Sequence, residues 1–311
     1  MAGAFCHWMV IEEAQAKLPA GDYSTILGQK KNFVAIGAVG PDYPYLSELK
    51  GNLLKIHSWA DRMHYENTLE FVKNGLSELL SMNREDENFK ICLAWLCGYV
   101  SHLLADSITH PVVNAIVGGA YIFTSSDHRI CEMTQDTYIF YKIKEVDISN
   151  GAYVELLDGC SDSGNKDRIH PAIKNFWPGI LKKTHPGAIA HFDKIDPDRW
   201  HKAYRATLSL ASTPIPIFRH IGEALNLVYK KFDEIQPDEE KRYISEIKLP
   251  KRKTAGNFRE HAFDKTVEKV AEIWQELFAD IEANDSSNCA TYLGNWNLDT
   301  GLDEDELHFW S

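Results

Sequence analysis

Gly98-Tyr99-Val100-Ser101-His102-Leu103-Leu104-Ala105-Asp106-Ser107-Ile108-Thr109-His110-Pro111 sets an imidazole, a carboxylate and a second imidazole four residues apart. A step of four residues turns about 40° around an α-helix, so His102, Asp106 and His110 share one face over two turns. Leu103, Leu104, Ala105 and Ile108 fill the other positions with apolar groups. The polar stripe is therefore expected to be buried, and its atoms must be satisfied by partners or by metal. Pro111 is expected to kink or stop this helix just beyond His110. The uncharged stretch from Ser107 to Ser126 carries His110, Pro111 and Gly118-Gly119, and the run before it holds His102 and Asp106. It reads as a buried helix rather than a membrane span.

Outward from this helix the dominant pattern is again helical. Val267, Val270, Ala271, Trp274, Leu277, Phe278 and Ile281 follow a helical period, as do Ile221, Ala224, Leu225, Val228, Phe232 and Ile235. Leu69, Val72, Leu76, Leu79 and Leu80 do so less cleanly, after a start at Asn67 or Thr68. No comparable run alternates with period 2. Turn chemistry separates the helical stretches at Gly37 to Pro44, Asp158 to Asp167, His185-Pro186-Gly187, Thr213 to Pro216 and Gln236-Pro237-Asp238. The fold class is all-α. The Lys251-Arg252-Lys253 cluster and the acidic run Asp303 to Glu306 read as solvated surface.

Composition narrows the function classes. With 44% hydrophobic and 25% charged residues the chain has the balance of a soluble globular protein. Thirty-three Lys+Arg against 45 Asp+Glu give a net charge of -12, which repels a polyphosphate backbone, so nucleic acid is not expected as a bulk partner. The 6 cysteines are sparse and form no CxxC pair, so reduced thiols are expected. No basic segment followed by an apolar one opens the chain, so the expected location is cytoplasmic, with secretion by a route without a cleaved leader left open. No obligate protein partner is implied.

The less ordinary number is 13 histidines, since sites that bind metal or move protons use this residue heavily. His128 and Glu132 repeat the four-residue spacing and offer a second imidazole–carboxylate pair. His7 opens a helical run, Asp42 lies in a Gly-Pro turn, and both His57 and His64 share a helical face with Asp61. His170, His185, His191, His201, His220, His261 and His308 lack companion spacing and read as structural or surface residues. No His is followed directly by Asp, and neither ExxH nor HExxH occurs, which disfavours HD phosphohydrolases, ferritin-like di-iron bundles and zincin proteases.

In their order along the chain, AGAFCHW (2–8), AIGAVGPDYPY (35–45), MHYENT (63–68), GYVSHLLADSITHP (98–111) and HRICE (128–132) resemble the zinc-dependent phospholipase C family. That family shares its fold with single-strand-specific nucleases and glycosylphosphatidylinositol-specific phospholipase D. The resemblance implies a single all-α domain over 1–311, a multi-helix bundle around a metal cluster, with the metal-ligand core at 2–140 and the helical part 141–311 completing it. It implies two to three zinc ions. Asp42, His64, His102 and Asp106 would take one ion, and His110, His128 and Glu132 a second. A third would share Asp106 and add His7 and the amino group of Ala2, if Met1 is trimmed. The His64-Tyr65 pair matches the family, which favours His64 over His57.

The activity implied is phosphodiester hydrolysis by metal-activated water, with Asp42 as ligand and general base and a glycerophospholipid cleaved to diacylglycerol and a phosphorylated head group. Contact with a membrane surface would be transient. The alternatives are a single-strand-specific nuclease on the same scaffold, which would need aromatic platforms for bases, and a non-catalytic metal-binding module.

Overall fold

The computed structural model describes residues 3–47, 58–119, 121–188, 194–211, 229–251, 255–303 and 306–310. The first half runs through α1 (Ala4–Lys17), α2 (Asp22–Gln29), α3 (Lys31–Gly37), a 3-10 turn at Gly40–Leu46, α4 (Trp59–Tyr65), α5 (Thr68–Leu80), α6 (Glu87–Val117) and α7 (Tyr121–Lys144). Then come α8 (Asn150–Gly159), α9 (Pro171–Thr184), α10 (Pro197–Ala211) and a last long helix, Asp264–Ala283. The all-α reading holds for the bulk of the chain.

α6 is the axis of the molecule. It is buried around its whole circumference and mostly apolar outside the stripe of His102, Asp106 and His110, which suits a helix surrounded by others, and every residue from Ile91 to Val113 is buried. It is long and apolar enough to cross a membrane, yet its most apolar window is wholly enclosed by the protein. α1, α3, α5, α7, α9 and the helix Asp264–Ala283 pack against it. The tightest crossing is with α3. A Cβ on Gly98 would stand 2.0 Å from the carbonyl oxygen of Val34, and one on Gly37 would stand 2.1 Å from that of Trp95. Only glycine at both points allows this approach.

Of the kink or stop expected at Pro111, the stop does not occur: the helix continues to Val117. A proline inside a helix deprives the carbonyl four residues earlier of its donor and disturbs its neighbour. Here the carboxy-terminal segment packs over the break in the helix. Trp310 donates its indole N–H to the Ile108 carbonyl at 2.8 Å, and Gly301 lies so close to Ser107 and Pro111 that a Cβ there would be 2.5 Å from both. Gly301 also has φ of 66°, which disfavours any side chain.

α5 begins at Thr68 directly after Asn67, and the helix Asp264–Ala283 spans the periodic stretch 267–281. The helix expected over 221–235 fares differently. Residues 221–228 lie outside the described residues, as do Thr213 to Pro216, and its end is a 3-10 turn, Phe232–Glu234. The reason is local competition. The Phe232 N–H is taken by the Asp147 carboxylate at 2.9 Å, that of Lys231 by Glu234 at 2.9 Å, and the Phe232 ring stacks on Tyr141.

Among the described residues three antiparallel two-stranded pairings qualify the helical reading: Ser161–Asp162 with Asn165–Ile169, Ile247–Lys248 with Ala255–Gly256, and Leu302–Asp303 with Glu306–Leu307. The first folds the turn-rich stretch Asp158 to Asp167, where Asp162 accepts the Gly164 N–H at 2.8 Å. The last pairs the ends of the acidic run, Asp303 and Glu306; its middle lies outside the described residues, as do Arg252 and Lys253. All the cysteines are free and buried.

Candidate metal centre

Five pieces of the chain aim side chains at one buried point beside α6. α1 carries His7, and its first turn is held by Asp136 of α7, whose carboxylate accepts the backbone N–H groups of Phe5 at 3.2 Å and Cys6 at 2.8 Å. Burial pushes the Asp136 carboxyl up to about 6. The 3-10 turn Gly40–Leu46 presents Asp42 in its first turn. α4 carries His64 and opens with a capping box in which Ser58 and Asp61 exchange bonds of 2.9 and 3.0 Å. α6 supplies His102, Asp106 and His110, and α7 supplies His128 and Glu132. All eight side chains are buried.

Asp106 sits at the middle. Its Oδ1 lies 3.3 Å from His7 Nε2 and 3.7 Å from His110 Nε2, and its Oδ2 lies 3.2 Å from His102 Nε2 and 3.8 Å from His64 Nε2. His64 Nε2 is also 3.2 Å from Asp42 Oδ1. On the far side, Glu132 Oε1 lies 3.0 Å from His128 Nε2 and 3.5 Å from His110 Nε2. Three groups result whose ligand atoms fall within 4.8 Å of one another: His7, His102 and Asp106; Asp42, His64 and His102; His110, His128 and Glu132.

The protons on these rings can be placed. Nδ1 of His64 faces the Ala60 carbonyl at 2.8 Å, Nδ1 of His102 faces that of Ala38 at 2.8 Å, and Nδ1 of His110 faces that of Leu298 at 2.7 Å. A carbonyl oxygen only accepts, so each Nδ1 donates its N–H, and when the ring is neutral, as a metal ligand must be, the lone pair of Nε2 points toward the centre. Lone pairs then face carboxylates, and His64 Nε2 lies 3.4 Å from His102 Nε2. Such an array requires positive charge between its members. Burial opposes the charge on Asp42 and Asp106, and positive charge beside them holds both carboxyls below the usual range: protons on His102 and His64 for Asp42 and on His110 and His102 for Asp106 when no ion is bound, or a metal ion in their place. The buried Nε2 atoms of His7 and His110 and Oδ1 of Asp42 make no hydrogen bond among the described residues. Imidazole nitrogen with carboxylate oxygen is a zinc donor set, and the residues fit that ion.

The fold gathers His102, Asp106, His110, His128 and Glu132, singled out by spacing, and His7, Asp42 and His64, implied by the family resemblance. Ala2 and the rival His57 lie outside the described residues, as do His191 and His220. The remaining downstream histidines enter none of the three groups among the described residues. Two contributions escaped the sequence reading. His201 of α10 is buried and lies 3.4 Å from the Tyr43 hydroxyl, beside Asp42, and 2.9 Å from the Ser161 hydroxyl. Leu298 contributes through its main chain, which every residue possesses and no motif can mark.

Among known proteins, a family model described as zinc dependent phospholipase C matches residues 6–187. No curated protein and no solved structure matches the chain.

Proposed function

Because the chain belongs to the zinc-dependent phospholipase C family, we propose that it hydrolyses a glycerophospholipid at the phosphodiester, giving diacylglycerol and a phosphorylated head group. The observation that carries this reading is Asp106, whose two oxygens face imidazoles of separate groups, His7 and His110 on one side and His102 and His64 on the other. One carboxylate so placed can tie neighbouring ions together, and closely spaced cations suit in-line displacement at phosphorus.

Zinc bound here would polarise phosphate oxygens, lower the pKa of water and counter the charge that develops on phosphorus. His64, His102 and His110 present Nε2 lone pairs already oriented by carbonyls behind them, so little reorganisation is needed. Asp42, with its side chain 10% exposed, is the most exposed carboxylate of the cluster and so the one we assign to an entering water. Its Oδ1 faces His64, and Oδ2 is left to take the proton as the water oxygen bonds to phosphorus. The bond from phosphorus to the glycerol oxygen breaks, the departing alkoxide takes a proton from solvent water, and Asp42 gives up its own proton to solvent to complete the cycle. The substrate would be met at a membrane surface, by transient contact.

The test is elemental analysis for zinc, joined to release of phosphocholine from phosphatidylcholine and of nucleotides from single-stranded DNA by the same preparation. Two to three zinc per chain with lipid turnover is the expected result. Nucleotide release without lipid turnover would move the chain to the nuclease chemistry, and zinc with neither activity would leave a binding module.

A further inference from the structure

Residues 6–187 contain every metal-facing side chain described above, but not everything that shapes the centre. The stretch from Trp296 to Gly301 lies against it. Leu298, fully buried, donates its N–H to the carbonyl of His64 at 2.9 Å and accepts from Nδ1 of His110 at 2.7 Å. One residue thereby joins α4 to α6 across the centre. Asp299 is tied from both sides: its carboxylate accepts the Tyr65 hydroxyl at 2.9 Å, and its carbonyl accepts the Asn114 amide at 2.7 Å. Its other carboxylate oxygen stands 3.9 Å from His110 Nδ1. The loop is closed by Asn297, whose carbonyl accepts the Gly301 N–H at 2.8 Å and whose own N–H reaches the Leu302 carbonyl at 2.8 Å.

We propose that Leu298 and Asp299 are positioning residues of the metal centre: they fix the tautomer and direction of His110, and Tyr65 and Asn114 are the ties that hold them there. The chemistry is that of a partner behind a ligating ring. A carbonyl acceptor at Nδ1 commits Nε2 to the lone pair, raises its basicity and stops the ring from rotating. For His64 and His102 that acceptor comes from within the matched stretch, from Ala60 and Ala38. For His110 it comes from about 190 residues away, from a part of the chain that the family motifs do not cover. His110 stands between Asp106 and the pair His128–Glu132, so the ion held by His110, His128 and Glu132 is the one that depends on the loop. The inference rests on the reading of this cluster as a zinc centre.

The test compares the full-length wild type with Tyr65→Phe, Asn114→Ala and the double variant, none of which removes a metal-facing group. Zinc content and zinc affinity are measured by competition with a chromophoric chelator, beside the thermal midpoint of each metal-free protein. Loosening a partner behind a ligand weakens metal affinity about 10- to 100-fold. The expected result is an ion bound at least tenfold more weakly in the double variant, the others unchanged, with the metal-free midpoint close to that of wild type. Asp299→Glu, which keeps an acceptor for Tyr65, should recover most of the affinity lost in Asp299→Ala. A lower metal-free midpoint with all zinc affinities intact would show a mere brace and overturn the proposal. If the double variant fails to fold, the single variants decide by the same affinities. A wild type that binds zinc while no variant changes its affinity overturns this inference alone; a wild type that takes up no zinc overturns the zinc reading with it.

Discussion

Asp106 is a buried carboxylate within 4 Å of four imidazoles, and its charge rather than its shape is what the centre uses. Asp106→Asn keeps the volume and removes the charge, so zinc and phosphodiesterase activity should be lost together; an active, fully zinc-loaded variant would contradict the assignment. His201 allows a separate prediction about pH. Burial, aided by Arg205, pushes its imidazole down from 6.5 to about 4. The unfolded chain therefore takes up a proton in a range where the fold refuses it. Stability is lost as pH falls from about 6.5 towards 4, by up to about 1.4 kcal/mol per unit. His201→Gln removes this dependence, so the stability advantage of metal-free wild type over the variant should be about 2 kcal/mol smaller at pH 5 than at pH 7 in urea titrations. The stripe on α6 was legible because helix geometry is fixed by the backbone. The burial of His201 beside Tyr43 was not, since no neighbour in sequence shares its environment.

α3 and α6 meet where Gly37 and Gly98 remove side chains, and this crossing carries the Ala38 carbonyl to Nδ1 of His102. Packing and ligand orientation are thus one feature. Gly98→Ala would drive a methyl group into the Val34 carbonyl and force the helices apart. Overpacking of this kind costs about 1–3 kcal/mol, to be measured by denaturant unfolding, and zinc should bind more weakly as His102 loses its acceptor. Unchanged stability would mean that the crossing is looser than the backbone indicates. The same scale shows where periodicity suffices. α5 and the helix Asp264–Ala283 follow from apolar spacing because each buries one face. Strands of two residues are too short to display a period, the five-residue Asn165–Ile169 is mostly polar, and the turn at Phe232–Glu234 was settled by Asp147, a partner 85 residues away.

The molecule as a whole is folded around an array of buried carboxylates and imidazoles that positive charge must complete, so metal and stability should be linked. An ion that binds only the folded chain adds about 2.7 kcal/mol when its free concentration is a hundred times its dissociation constant. Removing zinc with a chelator should therefore lower the thermal midpoint by several degrees, and restoring zinc should reverse the loss; a midpoint indifferent to chelation would show that the cluster is satisfied without metal. Sequence by itself determined the helical class, the ligand types and the shared helix face of His102, Asp106 and His110, because these depend on covalent geometry and on short-range periodicity. It offered His128 and Glu132 as a second pair by the same spacing, and pointed to His7, Asp42 and His64 only through the resemblance of the motifs. Tertiary structure alone decided that α6 continues through Pro111, that Asp136 caps α1, and that Leu298 stands behind His110. Each of these depends on a main-chain group or a distant partner whose position is set only when the helices have packed, since hydrogen bonding at a carbonyl is common to every residue and takes its meaning from where the fold puts it.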